Sequence, residues 1–145
     1  MFEIYEVMGS MVVNTDKSII DLKRDWVKSL HEEFEIGKPL NEEQQFQMMI
    51  VFGEFVAEEI YQLGENSLIN KKLKGEYFKV SNSFGHYIDR FMFYAIQCHE
   101  NGEKVEVPEN AISLIGDACS RAMDFVPDPD KVIDKFCKMH GVEFI

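Results

Sequence analysis

The sequence predicts an all-α fold, a single-domain bundle of about five helices that spans residues 1–145. Three observations predict it. Apolar residues recur at spacings of three and four along most of the chain, which is the period of one face of an α-helix. Residues that start and stop helices separate these apolar stripes. The length of 145 residues is typical of one domain, and no repeat, low-complexity tract or linker divides it.

The first well-defined helix follows an ambiguous N-terminal segment. The apolar residues of 1–14 fit a short helix or, at 11–13, a short strand, and Gly9 interrupts a continuous helix. We expect Thr15 to cap the first helix and Gly37 to end it. Between them lies one apolar stripe: Ile19, Leu22, Trp26, Leu30 and Phe34.

The second predicted helix covers residues 42–63. Asn41 and Gln44 form a capping box at its start, and Gly64 is expected to stop it. Its apolar residues go nearly all the way round the helix, which predicts a central, buried position. They are Phe46, Met48, Met49, Ile50, Val51, Phe52, Phe55, Val56, Ile60 and Leu63.

The third predicted helix follows a polar connection at 65–80 that has room for a short helix of its own. Ser81 or Ser83 is expected to cap the third helix, and Asn101-Gly102 to end it. Its stripe consists of Phe84, Ile88, Phe91 and Ala95.

Prolines mark the starts of the last two predicted helices. Pro108 is expected at the first position of the fourth helix. The fifth has Asp128 as its cap, Pro129 at its first position and Gly141 at its end. The stripe of the fourth helix is Ala111, Leu114 or Ile115, Ala118, Ala122 and Phe125.

The composition limits the classes of partner. The formal net charge is −11, from 26 acidic and 15 basic side chains with histidine counted as neutral. Such a surface repels phosphate backbones and anionic lipid, so we expect neither direct nucleic-acid binding nor membrane binding. Three roles stay open: holding a divalent cation, imitating nucleic acid toward a basic protein partner, and keeping the protein in solution.

The cysteines and the N-terminus indicate a cytoplasmic protein. Cys98, Cys119 and Cys137 are odd in number, widely spaced and set in apolar helical patterns, so we expect three buried thiols in a reducing compartment. The N-terminus lacks a basic segment followed by an apolar stretch, and the apolar runs are too short to cross a bilayer.

Acidic residues on the two most apolar helices point to chemistry. Glu54 and Glu58 stand four positions apart and share a helix face, and His86 and Asp89 stand three apart on the next helix. If these helices pack side by side, three carboxylates and an imidazole converge. Such a set suits Mg²⁺ or Mn²⁺ better than Zn²⁺ or iron. A structural interpretation is also open, with the acids on a solvated face, His86 in water and Arg90 paired with a carboxylate.

These residues resemble a known motif. In the all-α nucleoside triphosphate pyrophosphatases, the MazG-like superfamily, one helix carries E-E-x-x-E and a following helix carries E-x-x-D. Residues 51–60 (VFGEFVAEEI) resemble the first helix, and residues 86–94 (HYIDRFMFY) resemble the second. The segment 27–34, which leads into Gly37-Lys38-Pro39, is similar to the entry segment of phage-type members. The resemblance covers residues 20–102, about half of the chain.

The chain departs from the family pattern at three positions. Gly53 stands where the first paired Glu is found. Ala57 stands at the last acid of the first motif, unless Glu58 replaces that acid from the next position. His86 replaces the Glu of the second motif.

The resemblance implies a metal-dependent nucleoside triphosphate pyrophosphohydrolase, or a degenerate relative that binds nucleotides. Glu54 and Asp89, which match the motif directly, would hold Mg²⁺ together with Glu58, and His86 is a fourth candidate ligand. In catalysis Mg²⁺ held by the three carboxylates would polarise the triphosphate, and a carboxylate or the metal would activate a water. Family members are usually dimers or larger, which implies a homodimer or a larger assembly.

Two further interpretations concern charge. Lys71, Lys72 and Lys74 lie between the two motif helices and could grip the substrate phosphates, or they could belong to a solvated loop. The whole chain could instead be an acidic helical interaction protein, such as an inhibitor, immunity or phage-encoded protein, that blocks the basic surface of a protein partner.

Overall fold

The computed structural model describes residues 18–35, 38–67 and 71–142, without the side chains of 71–73. These residues contain no strand and form α1 (Ile19–Glu33), α2 (Glu42–Glu65), α3 (Lys71–Asn101), α4 (Ala111–Met123) and α5 (Pro129–His140). The predicted all-α bundle of about five helices is therefore confirmed. The ambiguous segment 1–14, the expected cap Thr15 and the expected stop Gly37 lie outside the described residues.

Helix α1 buries the predicted stripe and is capped by Ser18. The Ser18 side chain accepts a hydrogen bond from the Asp21 backbone N–H, with 3.2 Å between the two atoms. Leu22, Trp26 and Leu30 are buried. The helix ends at Glu33, earlier than the Gly37 of the prediction.

Helix α2 begins as predicted and ends later. Asn41 Oδ1 accepts from the Gln44 N–H at 2.8 Å, and Gln44 Oε1 accepts from the Asn41 N–H at 3.0 Å, so the capping box is confirmed. The predicted stop at Gly64 is wrong, because the helix continues through it to Glu65. Gly64 is buried against Phe78, where a Cβ would lie 2.7 Å from the ring atom Cε1. This glycine serves close helix packing, which a local stop signal does not reveal.

Helix α3 replaces the predicted polar connection. One helix runs from Lys71 to Asn101, so the loop expected at 65–80 and the cap expected at Ser81 or Ser83 are both wrong. Ser81 lies in the middle of the helix, is buried, and donates its hydroxyl hydrogen to the Ala57 carbonyl oxygen at 2.8 Å. The Ser81 hydroxyl therefore bonds across to α2 and does not cap a helix start. The predicted end is confirmed, with Gly102 following at φ 67°.

The fourth helix starts and packs differently from the prediction, whereas the fifth agrees with it. Helix α4 begins at Ala111 after Asn110 in the left-handed conformation, not at Pro108. In its stripe Ile115 is buried, whereas Leu114 is 53% exposed, and Phe125 lies beyond the helix and is 42% exposed. Helix α5 is capped by Asp128, has Pro129 at its first position and ends at Gly141 with φ 66°, as predicted.

The predicted central position of α2 is confirmed, because α2 packs against all four other helices and most extensively against α3. Of the three cysteines, Cys98 and Cys119 are buried as expected, whereas Cys137 is only half-buried because it lies at the edge of the stripe on the terminal helix. Within residues 18–142, as far as they are described, no helix is both long enough and apolar enough to span a membrane. The core consists of residues from all five helices, among them Trp26, Phe46, Ile60, Ile96, Ile115 and Phe136.

Candidate functional site

A cavity of about 1180 Å³ lies between α1, α2 and α3, with the end of α5 at its side. All four side chains that the sequence proposed as metal ligands line it. Glu54 and Glu58 reach it from α2, and His86 and Asp89 reach it from α3. The sequence predicted that the four residues would converge if their helices packed side by side. Helices α2 and α3 do pack side by side, and the four residues line one cavity.

Small residues bring α2 and α3 together at this place. A Cβ at Gly53 would lie 2.5 Å from the Cδ1 atom of buried Ile88. Because glycine has no Cβ, the two helices can pack closely at this point. Gly53 and Ile88 immediately precede Glu54 and Asp89, and their contact places those two carboxylates on the same side of the interface. A Glu side chain at position 53 would collide with Ile88, so the close packing of α2 against α3 requires glycine at this position.

Asp89 carries the clearest electrostatic signature of the cavity. Burial, and then the charge of the neighbouring Glu54 carboxylate, raise the pKa of its carboxyl to about 6. The charges of His86 and Lys23 act in the opposite direction. Asp89 is thus a carboxyl group that exchanges its proton close to neutral pH.

Lys23 on α1 is the partner that sequence reasoning missed. Its Nζ donates to Glu54 Oε1 and forms an ion pair with that carboxylate inside the cavity. Arg90, for which a carboxylate partner was an open alternative, is exposed on α3 and forms no ion pair among the described residues. Lys23 directly follows buried Leu22 in the sequence. That position places Lys23 near the core, but it does not show which neighbouring helix the lysine contacts.

The other two candidate ligands lie at the solvent side of the cavity. Glu58 is exposed and accepts a hydrogen bond from Gln62 Nε2 at 2.8 Å. His86 is exposed as well. Among the described residues, no three His, Cys, Asp or Glu side chains come close enough together to hold a metal ion as they stand. The fold brings the four residues into one cavity without assembling them into a finished coordination sphere.

Of the three lysines expected near the phosphates, Lys74 has a described side chain, and it lies away from the cavity. Lys71 and Lys72 open α3, and their side chains lie outside the described residues. Lys74 stands over the Phe78 ring, with Nζ 5.6 Å from its centroid, and does not line the cavity. The predicted lysine loop is part of a helix. The basic side chains that do line the cavity come from α1: Lys23, Arg24 and Lys28.

Two histidines close one side of the cavity. His31 Nε2 on α1 and His140 Nδ1 on α5 lie 3.1 Å apart and share a hydrogen bond. Burial, and then the charge of His31, lower the pKa of His140. Because the two residues are 109 positions apart in the sequence, no local pattern could have paired them.

An apolar wall faces the charged groups. Trp26 lines the cavity from α1, and its indole N–H is satisfied by Gln47 Oε1 at 2.8 Å. Val51 and Phe55 continue the wall along α2, and Tyr61 lies at its far end. The site therefore combines an apolar side with a group of carboxylates, a form common in small-molecule sites.

No family model, curated protein or solved structure matches the chain.

Proposed function

We propose that this chain binds a nucleoside triphosphate together with Mg²⁺ in the cavity between α1, α2 and α3, and that its reaction is hydrolysis of a phosphoanhydride bond, as the resemblance to the MazG-like pyrophosphohydrolases implies. One observation supports the proposal above the others. Glu54 and Asp89, the two residues that match the family motif directly, line the same cavity.

The chemistry of the donors fits Mg²⁺. Glu54 and Asp89 would hold the ion, with Glu58 and His86 available from the solvent side. Burial and then the charge of Glu54 raise the pKa of Asp89, so its ionised form is disfavoured in the cavity, and a bound cation would offset both effects. When bound, Mg²⁺ supplies charge neutralisation of the triphosphate and polarisation of the bond to be broken.

The cavity also suits the rest of a nucleotide. Its volume of about 1180 Å³ lies just above the usual range for small-molecule sites. The half-buried Phe55 contributes apolar surface for a base, and the Arg24 and Lys28 side chains line the same space with positive charge. A protein of net charge −11 needs such local cations to accept a polyphosphate.

Glu54 and Asp89 would hold the cation from opposite helices, so neither is assigned as the proton acceptor. The attacking water would be activated by the cation itself or by a further carboxylate of the cavity, for which Glu58 is the candidate.

The test is a panel of nucleoside triphosphates with and without Mg²⁺, read by thermal melting and by pyrophosphate release. A ligand at about one hundred times its dissociation constant stabilises the native state by about 2.7 kcal/mol. We expect Glu54→Gln and Asp89→Asn to abolish the Mg²⁺-dependent effects. Glu59→Gln is the matched control, because Glu59 lies on the same helix but pairs with Lys135 outside the cavity. No melting shift and no pyrophosphate with any nucleotide would overturn the proposal.

A second candidate function, the acidic interaction protein, is favoured by one feature of the surface. Exposed acids outnumber exposed bases from the α3–α4 connection to the cap of α5, over residues 103–128, where Glu103, Glu106, Glu109, Asp117, Asp124 and Asp128 stand against Lys104 and Arg121. Binding of a basic protein partner through this surface would survive Glu54→Gln and Asp89→Asn, and would be lost when Glu106 and Glu109 are replaced by Gln.

A further inference from the structure

Lys23 is a cation that lies beside the carboxylates of the candidate metal site. Its ammonium group bonds to Glu54 Oε1, and its charge lowers the pKa of Asp89, so it lies within electrostatic reach of both carboxylates. It comes from α1, whereas the carboxylates come from α2 and α3. The ion pair therefore links α1 to α2, and the charge of Lys23 also acts on Asp89 of α3.

We infer that Lys23 is a resident counter-ion that a divalent cation must displace from Glu54, and that this competition sets the metal affinity of the cavity. The inference rests on the proposed function for the metal site itself. The Lys23 ammonium group occupies a lone-pair site of the Glu54 carboxylate and repels a second cation that approaches it, so the two cations compete for that carboxylate.

The exposure of the pair makes this exchange feasible. The Lys23 side chain is 44% exposed and that of Glu54 is 27% exposed, so Lys23 can move out along its flexible stem without opening the core. Once displaced, its ammonium group remains tethered at the cavity on α1 and is available to an anionic ligand. The same residue would then serve the carboxylates in the empty site and the phosphates in the loaded one.

The neighbouring cations of α1 do not take part in this ion pair. Arg24 Nη1 lies 3.5 Å from Oδ1 of Asp21 on the same helix, and both side chains are exposed. Lys28 lines the cavity and is exposed, and no hydrogen bond joins it to Glu54 among the described contacts. Lys28 therefore offers a matched control: the same charge, helix and cavity without the contact.

The experiment titrates the full chain with Mn²⁺ alone and reads the free ion by electron paramagnetic resonance. We expect Lys23→Met to bind Mn²⁺ about ten-fold more tightly than the unmodified protein, because the competitor and its repulsion are removed. Lys28→Met loses the same net charge, and we expect a change of no more than about two-fold, since solvent and salt screen an exposed charge. Lys23→Gln should repeat the gain with a polar side chain and guards against an effect of Met itself.

The double variant Lys23→Met/Glu54→Gln locates the gain. We expect it to lose the tight Mn²⁺ binding, because the released carboxylate is no longer there. Equal affinities of Lys23→Met and Lys28→Met, or tight binding that persists in the double variant, would overturn the inference. Since no nucleotide is present, a failure here is separate from a failure of the proposed function, which is read by nucleotide binding and pyrophosphate release.

Discussion

Gly53 on α2 and Ile88 on α3 are in such close contact that a Cβ on the glycine would lie 2.5 Å from Cδ1 and 2.8 Å from Cγ1 of the isoleucine. Ile88 is fully buried, so its side chain has little room to move away. The contact stands one residue before Glu54 and Asp89 on the two helices and sets the distance between the helices at the candidate site.

We predict that Gly53→Ala destabilises the protein. Overpacking of a buried contact costs about 1–3 kcal/mol, and the higher helix propensity of Ala offsets at most about 1 kcal/mol of it. Gly75→Ala is the matched control, because Gly75 lies in α3 with no atom within 4 Å of an added Cβ and should gain about 0.5–1 kcal/mol. Urea denaturation measures both, and equal stabilities of the two variants would contradict the close contact.

Asp89→Asn should stabilise the protein at high pH. The pKa of Asp89 is raised in the folded state, so its contribution to stability is complete below the unfolded value near 4 and is lost as the pH rises through about 6. Neutral Asn avoids that loss. We expect the variant to be more stable than the unmodified protein at pH 8, with the difference shrinking steadily as the pH falls from 6 to 4. Urea denaturation across this range measures it, and a difference independent of pH would contradict the assignment.

The His31–His140 pair predicts a loss of stability in mild acid. The pKa of His140 is lowered from its ordinary value of 6.5 by burial and then by His31, so its contribution is present above pH 6.5 and is lost as the pH falls through the lower folded value. In His31→Gln the His140 pKa should rise but stay below 6.5, because burial, the larger cause, remains. Titration of the imidazole signals by NMR reads this directly, and an unchanged His140 titration would rule out the coupling.

Ser81→Ala should cost about 1 kcal/mol of stability, the usual value of a lost buried hydrogen bond. Its hydroxyl donates to the Ala57 carbonyl oxygen across the α2–α3 interface. Ser83→Ala, two positions along the same helix and exposed, is the control and should leave stability unchanged or slightly higher. Thermal melting of the two variants compares them, and a Ser81→Ala protein as stable as Ser83→Ala would show that the bond contributes nothing.

The sequence predicted best where the cause of structure is local. The Asn41–Gln44 capping box and the Asp128-Pro129 start of α5 depend on atoms only a few residues apart, and both are present in the fold. The same local logic failed at Gly64 and Ser81. Glycine and serine often mark helix ends, yet here Gly64 and Ser81 make contacts between α2 and α3.

The candidate site divides in the same way. Helical spacing was enough to place Glu54 beside Glu58 and His86 beside Asp89 on their own helices. It left open whether Glu58 and His86 face solvent, as they do in the fold. It did not reveal that Lys23 pairs with Glu54, or that Lys74 stands over Phe78 and away from the cavity.

By itself the sequence determined the all-α class, the central position of α2 and the faces on which its acids lie, because periodicity and capping act within a few turns of one helix. The tertiary structure decided which helices meet around those acids, which of them has its pKa raised and which cation pairs with Glu54. Those features depend on how closely α1, α2 and α3 approach one another, and that approach is set by contacts between residues far apart in the chain, such as Gly53 and Ile88.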